Sequence, residues 1–183
     1  MFDLPGPRPV RRGWWLGPEL AALAALLVLS IPFLSSDSGT RIRQDIGRRA
    51  AQALEASTPE EHRNHGHDKI GAADHVVCGV DVYGTEPRDV KDAAAATTVY
   101  GYYFCAVGPD GMPYLESSRM DGPVVVRFGT PTVIQIARHG EGYQDRVRAM
   151  MPDEYEPLCF SGLRNDTVAA DVRRRFTDLA GAG

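Results

Sequence analysis

The sequence predicts an α+β protein: an N-terminal transmembrane helix, then a two-layer domain with an antiparallel sheet of four to five strands and flanking helices. Three observations predict it. An uncharged apolar run lies near the N-terminus, period-two alternation of β-branched and aromatic residues fills the middle of the chain, and period-3.6 apolar patterns flank that middle on both sides. In 183 residues, the part left after the apolar run suffices for one core and no second domain.

Residues 1–13 read as a tail, 14–34 as a membrane anchor, 35–40 as a linker and 41–183 as the folded domain. Between Leu20 and Leu34 the chain runs LAALAALLVLSIPFL without a charge, and Trp14, Trp15 and Leu16 extend it to the length a bilayer requires. Its Leu, Ile, Val and Phe residues contribute roughly −3 to −5 kcal/mol toward insertion, more than Glu19 costs near the segment's end. Trp14 and Trp15 suit the headgroup level, with Arg8, Arg11 and Arg12 before them on the cytoplasmic side.

A cleaved signal peptide is the alternative, since the run also fits an h-region, but Leu34-Ser35-Ser36 and Ser36-Asp37-Ser38 lack the usual small-residue cleavage pattern. Arg11-Arg12 abut the segment directly, whereas Arg41, Arg43, Arg48 and Arg49 follow only after a Ser/Gly stretch, which favours a domain outside the cytoplasm. Cleavage of the segment would make the domain a secreted one.

Ile42, Ile46, Ala50 and Ala53-Leu54 recur at helical spacing, giving a helix with a basic outer face that either packs on the domain or lies on anionic headgroups. Ser57-Thr58-Pro59-Glu60-Glu61 carries a capping hydroxyl, a first-turn proline and acids, the signature of a fresh, short helix. Val76, Cys78, Val80 and Val82 then alternate as a strand up to Gly84-Thr85-Glu86-Pro87, and Thr97 to Val107 is the strongest β segment. Residues 85–96 fit either a strand start or a turn of helix.

The turn Gly108-Pro109-Asp110-Gly111 predicts that Met112 to Ser118 returns antiparallel, with Asp121-Gly122-Pro123 breaking that strand. Val124 to Phe128 and Thr132 to Arg138 are further strands. Tyr143, Val147, Met150 and Met151 mark a short helix before Pro152, and Val168, Val172, Phe176 and Leu179 share one face of a last helix.

Net charge is −4, and the arginines are interspersed with acids, so the basic footprint of a nucleic-acid binder is missing. Lys69 and Lys91 are the only lysines, a bias that GC-rich codons of an actinobacterium would produce. The tail, the apolar segment and the strands VVCGVDVYGTEP and TTVYGYYFC together resemble actinobacterial secreted or membrane-anchored proteins of unknown function. That resemblance covers the layout of most of the chain and implies a small extracytoplasmic domain.

His62, His65 and His67, with Asp68 and His75 nearby, form the densest set of metal-ligand types, but the spacing matches no recognised site and the stretch has loop composition. Ser161 lacks a nucleophile elbow, and pairing Cys159 with His139 rests on residue types alone. Asp153, Glu154 and Glu156 lie between prolines, as in a solvated loop. Tyr100, Tyr102 and Phe104 share one strand face and Tyr103 the other, so one face of the sheet is strongly aromatic, serving either as core or as a contact surface. Burial of the rings decides between the two.

Cys78, Cys105 and Cys159 permit three single pairings. Cys78 falls on the face of Val76, Val80 and Val82, and Cys105 on that of Val99, Tyr103 and Val107, so a Cys78 to Cys105 disulfide joining neighbouring strands is the favoured one. No catalytic residue, cofactor or metal is expected. The expected role is a non-enzymatic interaction or accessory module of the cell envelope, partnered by the membrane and another envelope protein; the alternative is a metal-binding or hydrolytic enzyme using His62, His65 and His67.

Overall fold

The computed structural model describes residues 38–64, 70–71 and 73–181, and Arg41–Gly183 forms one compact unit. The expected tail and anchor lie outside the described residues, among which no helix is long and apolar enough to cross a membrane. Residues 38–40, expected as linker, are already helical.

Helix α1 covers 38–55 and buries Ile46, Ala50, Ala51 and Leu54, the stripe that the sequence spacing predicts. Helix α2, Pro59–Asn64, begins with a capping box. Thr58 Oγ1 accepts from the Glu61 N–H at 3.2 Å while Glu61 Oε2 accepts from the Thr58 N–H at 2.7 Å, so two otherwise orphaned donors are satisfied reciprocally.

The sheet is an antiparallel meander in the order β1 (Asp74–Glu86), β2 (Thr98–Pro109), β3 (Ser118–Arg127) and β4 (Val133–Ile136). Between β1 and β2 the chain makes a short 3-10 turn at Ala93–Ala95, capped by Asp92, which resolves the ambiguous 85–96 stretch. The β1 to β2 register shifts between Val82 and Gly84, so the extra residue Tyr83 forms a bulge.

Two expectations are corrected in the next stretch. Met112 to Ser117 is not a strand: Gly111, at φ 74°, and the Met112 N–H to Pro109 carbonyl bond of 3.2 Å close the turn, and Tyr114–Glu116 follows as a 3-10 turn. Pro113, without an N–H, sits at the start of that turn rather than in a ladder. Asp121-Gly122-Pro123 does not break the chain but lies inside β3. Pro123 is tolerated because β4 pairs only from Val124 to Arg127, leaving the Pro123 nitrogen on a stretch of β3 that has no strand beyond it.

Helices α3 (Tyr143–Met150), α4 (Glu156–Cys159) and α5 (Asp166–Ala180) complete the fold. α4 falls within the stretch read as a solvated acidic loop; Pro157 is accommodated there because the first turn of a helix needs no proline N–H. Helices cover both faces of the sheet, making three layers rather than two. On one face α1 packs with Cys78, Val80, Val99, Tyr103, Val124 and Val126. On the other, α3 and α4 meet Tyr83, Tyr100, Tyr102 and Val125, and α5 meets Val77 and Ala106. Both sets of inward residues are apolar because alternate positions of β1, β2 and β3 are apolar on both sides, a pattern that two helical layers satisfy and one does not.

Candidate functional site

The predicted aromatic face is core. Tyr100 and Tyr102 are 8% and 6% exposed, and Tyr103, on the other face, is 3% exposed, so burial decides against an open contact surface there. Burial of a phenol requires a partner for its hydroxyl, and Tyr100, Tyr102 and Tyr83 find different ones. Tyr100 donates to Glu86 Oε1 and Tyr102 to Asp121 Oδ2, both at 2.6 Å. Tyr83 donates to the carbonyls of Leu158 and Gly162, fastening the bulge of β1 to the end of α4. Burial pushes the Tyr100 phenol up to about 12, with the Glu86 carboxylate adding to the effect. The Tyr102 phenol is raised further, first by burial and then by Asp121.

Carboxylates around this layer serve structure. Asp81 accepts the Arg164 N–H at 3.0 Å, while the Arg164 guanidinium lies over the Tyr83 ring at 5.1 Å. Asp153 and Glu154 lie exposed on the turn before α4, as expected of a solvated loop, with Glu154 pairing with Arg88; Glu156 opens α4 and pairs with Arg148. Ser161 donates to the Pro157 carbonyl at 3.2 Å.

Cys159 is buried and donates its thiol to the Tyr155 carbonyl at 3.4 Å. Burial pushes that thiol up to about 11, with Glu156 contributing, the reverse of what a nucleophilic thiolate needs. His139 stacks on Tyr143 at 4.8 Å and donates to the Asp121 carbonyl. The pairing of Cys159 with His139 as a thiol catalyst therefore has no activated thiol behind it.

His62 is buried within α2 at 1% exposure, whereas His65 and His67, in the stretch with loop composition, lie outside the described residues. His75 pairs with Asp110. Among the described residues no group of three metal-ligating side chains comes together.

Cys78 and Cys105 are joined by a disulfide. They stand directly opposite one another in the β1 to β2 ladder with Cα atoms 4.1 Å apart, and both are fully buried. That close approach is typical of a non-hydrogen-bonded cross-strand pair, where opposing side chains lie nearest.

One exposed grouping was not singled out by the sequence pattern. Tyr114, on the turn after β2, packs edge-on against Phe176 of α5 with ring centroids 6.2 Å apart. The guanidinium of Arg119 on β3 lies 5.7 Å from the Tyr114 ring centre and that of Arg173 on α5 lies 5.8 Å from it. Neighbouring Leu115 is 75% exposed. The only sequence signal for it was a proline-started turn with two bulky apolar residues. No protein-family model, curated protein or solved structure matches the chain.

Proposed function

We propose that the protein is a bacterial cell-envelope module, anchored by residues 14–34 with its 41–183 domain outside the cytoplasm, and that it acts by binding another envelope protein rather than by catalysis. The observation that carries this reading is the buried Cys78 to Cys105 disulfide. Such a bond forms and persists in oxidising compartments, and an apolar segment ahead of the domain supplies a route there. A binding role is supported by the use to which the reactive side chains are put: Cys159 is buried and protonated, and Glu86 and Asp121 accept the hydroxyls of core tyrosines.

The test is crosslinking in the native membrane followed by mass spectrometry, with free thiols blocked at lysis. A crosslinked envelope protein, together with Cys78 and Cys105 recovered joined, is the expected result. Recovery of both cysteines alkylated, in a domain protected from externally added protease, would place the domain in the cytoplasm and overturn the reading.

A further inference from the structure

We propose that Arg119, Arg173, Tyr114 and Leu115 form the docking site for an acidic peptide segment of the protein partner. This deepens the interaction-module reading and rests on it.

The chain is acidic, with 24 Asp and Glu against 20 Lys and Arg, and among the described residues five arginines stand in ion pairs. Arg48 pairs with Asp45, Arg88 with Glu154, Arg148 with Glu156, Arg174 with Asp171 and Arg175 with Glu55. Arg49, Arg127, Arg138 and Arg146 donate to neutral oxygens instead, and among the described residues the Arg119 and Arg173 guanidiniums do neither. Among the described residues neither has a carboxylate partner, and Glu116, on the same turn as Tyr114, pairs with neither.

The fold nonetheless brings both guanidiniums to one ring. Two positive charges held near one ring, without carboxylates of their own, favour an arriving anion. Phe176 packs edge-on against the ring, and Tyr114 offers each guanidinium an aromatic support. An arginine so placed keeps its N–H edge available for a carboxylate, with less rotamer freedom to lose on binding.

Leu115 decides what kind of anion fits. It is the most exposed large apolar side chain among the described residues, and it adjoins the aromatic support of the charged pair. A bare polyanion would engage the arginines and leave Leu115 in water. A peptide carrying both carboxylates and apolar side chains covers all four residues, matching the apolar centre and charged rim of protein interfaces.

The full chain in detergent micelles, titrated into a fluorescein-labelled Glu-Leu-Glu-Glu repeat peptide at physiological salt, tests this by fluorescence anisotropy. Saturable binding is expected, weakened about tenfold by Arg119→Gln or Arg173→Gln, as for loss of a charge-assisted hydrogen bond, and weakened also by Leu115→Ser. Arg174→Gln, on the same helix but paired with Asp171, should leave it unchanged. Absence of saturable binding, an equal loss with Arg174→Gln, or equally tight binding of an all-Glu peptide would overturn the proposal. Such a failure with Cys78 and Cys105 joined and the domain outside removes this site and leaves the envelope reading intact.

Discussion

Glu55 and Arg175, 120 residues apart in the chain, meet at the outer edge of β1 and together hold both backbone groups of Cys78. Glu55 Oε1 accepts the Cys78 N–H at 2.8 Å and pairs with the Arg175 guanidinium, whose Nη1 donates to the Cys78 carbonyl at 3.1 Å. β1 is an edge strand, so these groups point away from β2 and would otherwise present an open ladder to another chain. An ion pair thus replaces a neighbouring strand at the residue whose side chain carries the disulfide.

Glu55→Ala should therefore destabilise the domain by about 1 to 3 kcal/mol, since it leaves the Cys78 amide without its acceptor. Glu55→Gln keeps a carbonyl for that amide and should cost less. Urea unfolding at constant m checks the order of the two; equal, near-zero changes would show that water replaces the carboxylate without loss.

Removing the disulfide by the paired changes Cys78→Ala and Cys105→Ala should lower stability by about 3.5 kcal/mol in the chain-entropy model, for a loop spanning a sequence separation of 27. The measurement is again the denaturation midpoint, compared with the intact protein under non-reducing conditions. A loss below about 1 kcal/mol would mean that strand pairing already constrains the unfolded chain.

Alkaline pH should unfold the domain. Cys159 and Tyr100 are raised by burial from 9.0 and 10.0 to about 11 and about 12, and the Tyr83, Tyr102 and Tyr103 phenols are raised in the same sense. Each group binds its proton more tightly when folded. The associated stability is present in full below the unfolded values and is lost as pH rises through the folded ones. Ionisation of these four phenols should therefore accompany loss of secondary structure at about pH 11 to 12; their noncooperative ionisation near pH 10 in a folded domain would contradict the buried hydroxyls.

Gly47→Ala is a case in which two effects of known sign oppose each other. In an open helix interior the change would stabilise by about 1 kcal/mol. Here a Cβ at Gly47 would stand 2.7 Å from the Val80 carbonyl oxygen, a backbone atom of β1 that the helix packs against. Forcing α1 away from the edge should cost about 1 to 3 kcal/mol and win. A thermal midpoint above that of the parent would show that α1 moves freely over β1.

What the sequence determined by itself was local. Ile46, Ala50 and Leu54 marked α1, Val76 to Val82 marked β1, and Val172 with Phe176 marked α5, because periods of 3.6 and 2 record which side of an element faces the core. The same alternation put Cys78 and Cys105 on one side of the sheet. It did not set them opposite one another; that took the β1 to β2 register, which a shift near Tyr83 alters within the same ladder. Asp121-Gly122-Pro123 read as a break because proline's missing N–H counts against a strand only if a neighbour needs it, and the shortness of β4 is invisible from Pro123 itself.

Only the tertiary structure decided that helices cover both faces, that the Tyr100 and Tyr102 rings are buried, and that Glu55 reaches Arg175. It also decided that Tyr114, Arg119 and Arg173 share one patch, since they come from a turn, a strand and a helix with no common period. Proximity between elements depends on how layers stack and where edges end, and those are properties of the whole packed chain rather than of any window within it.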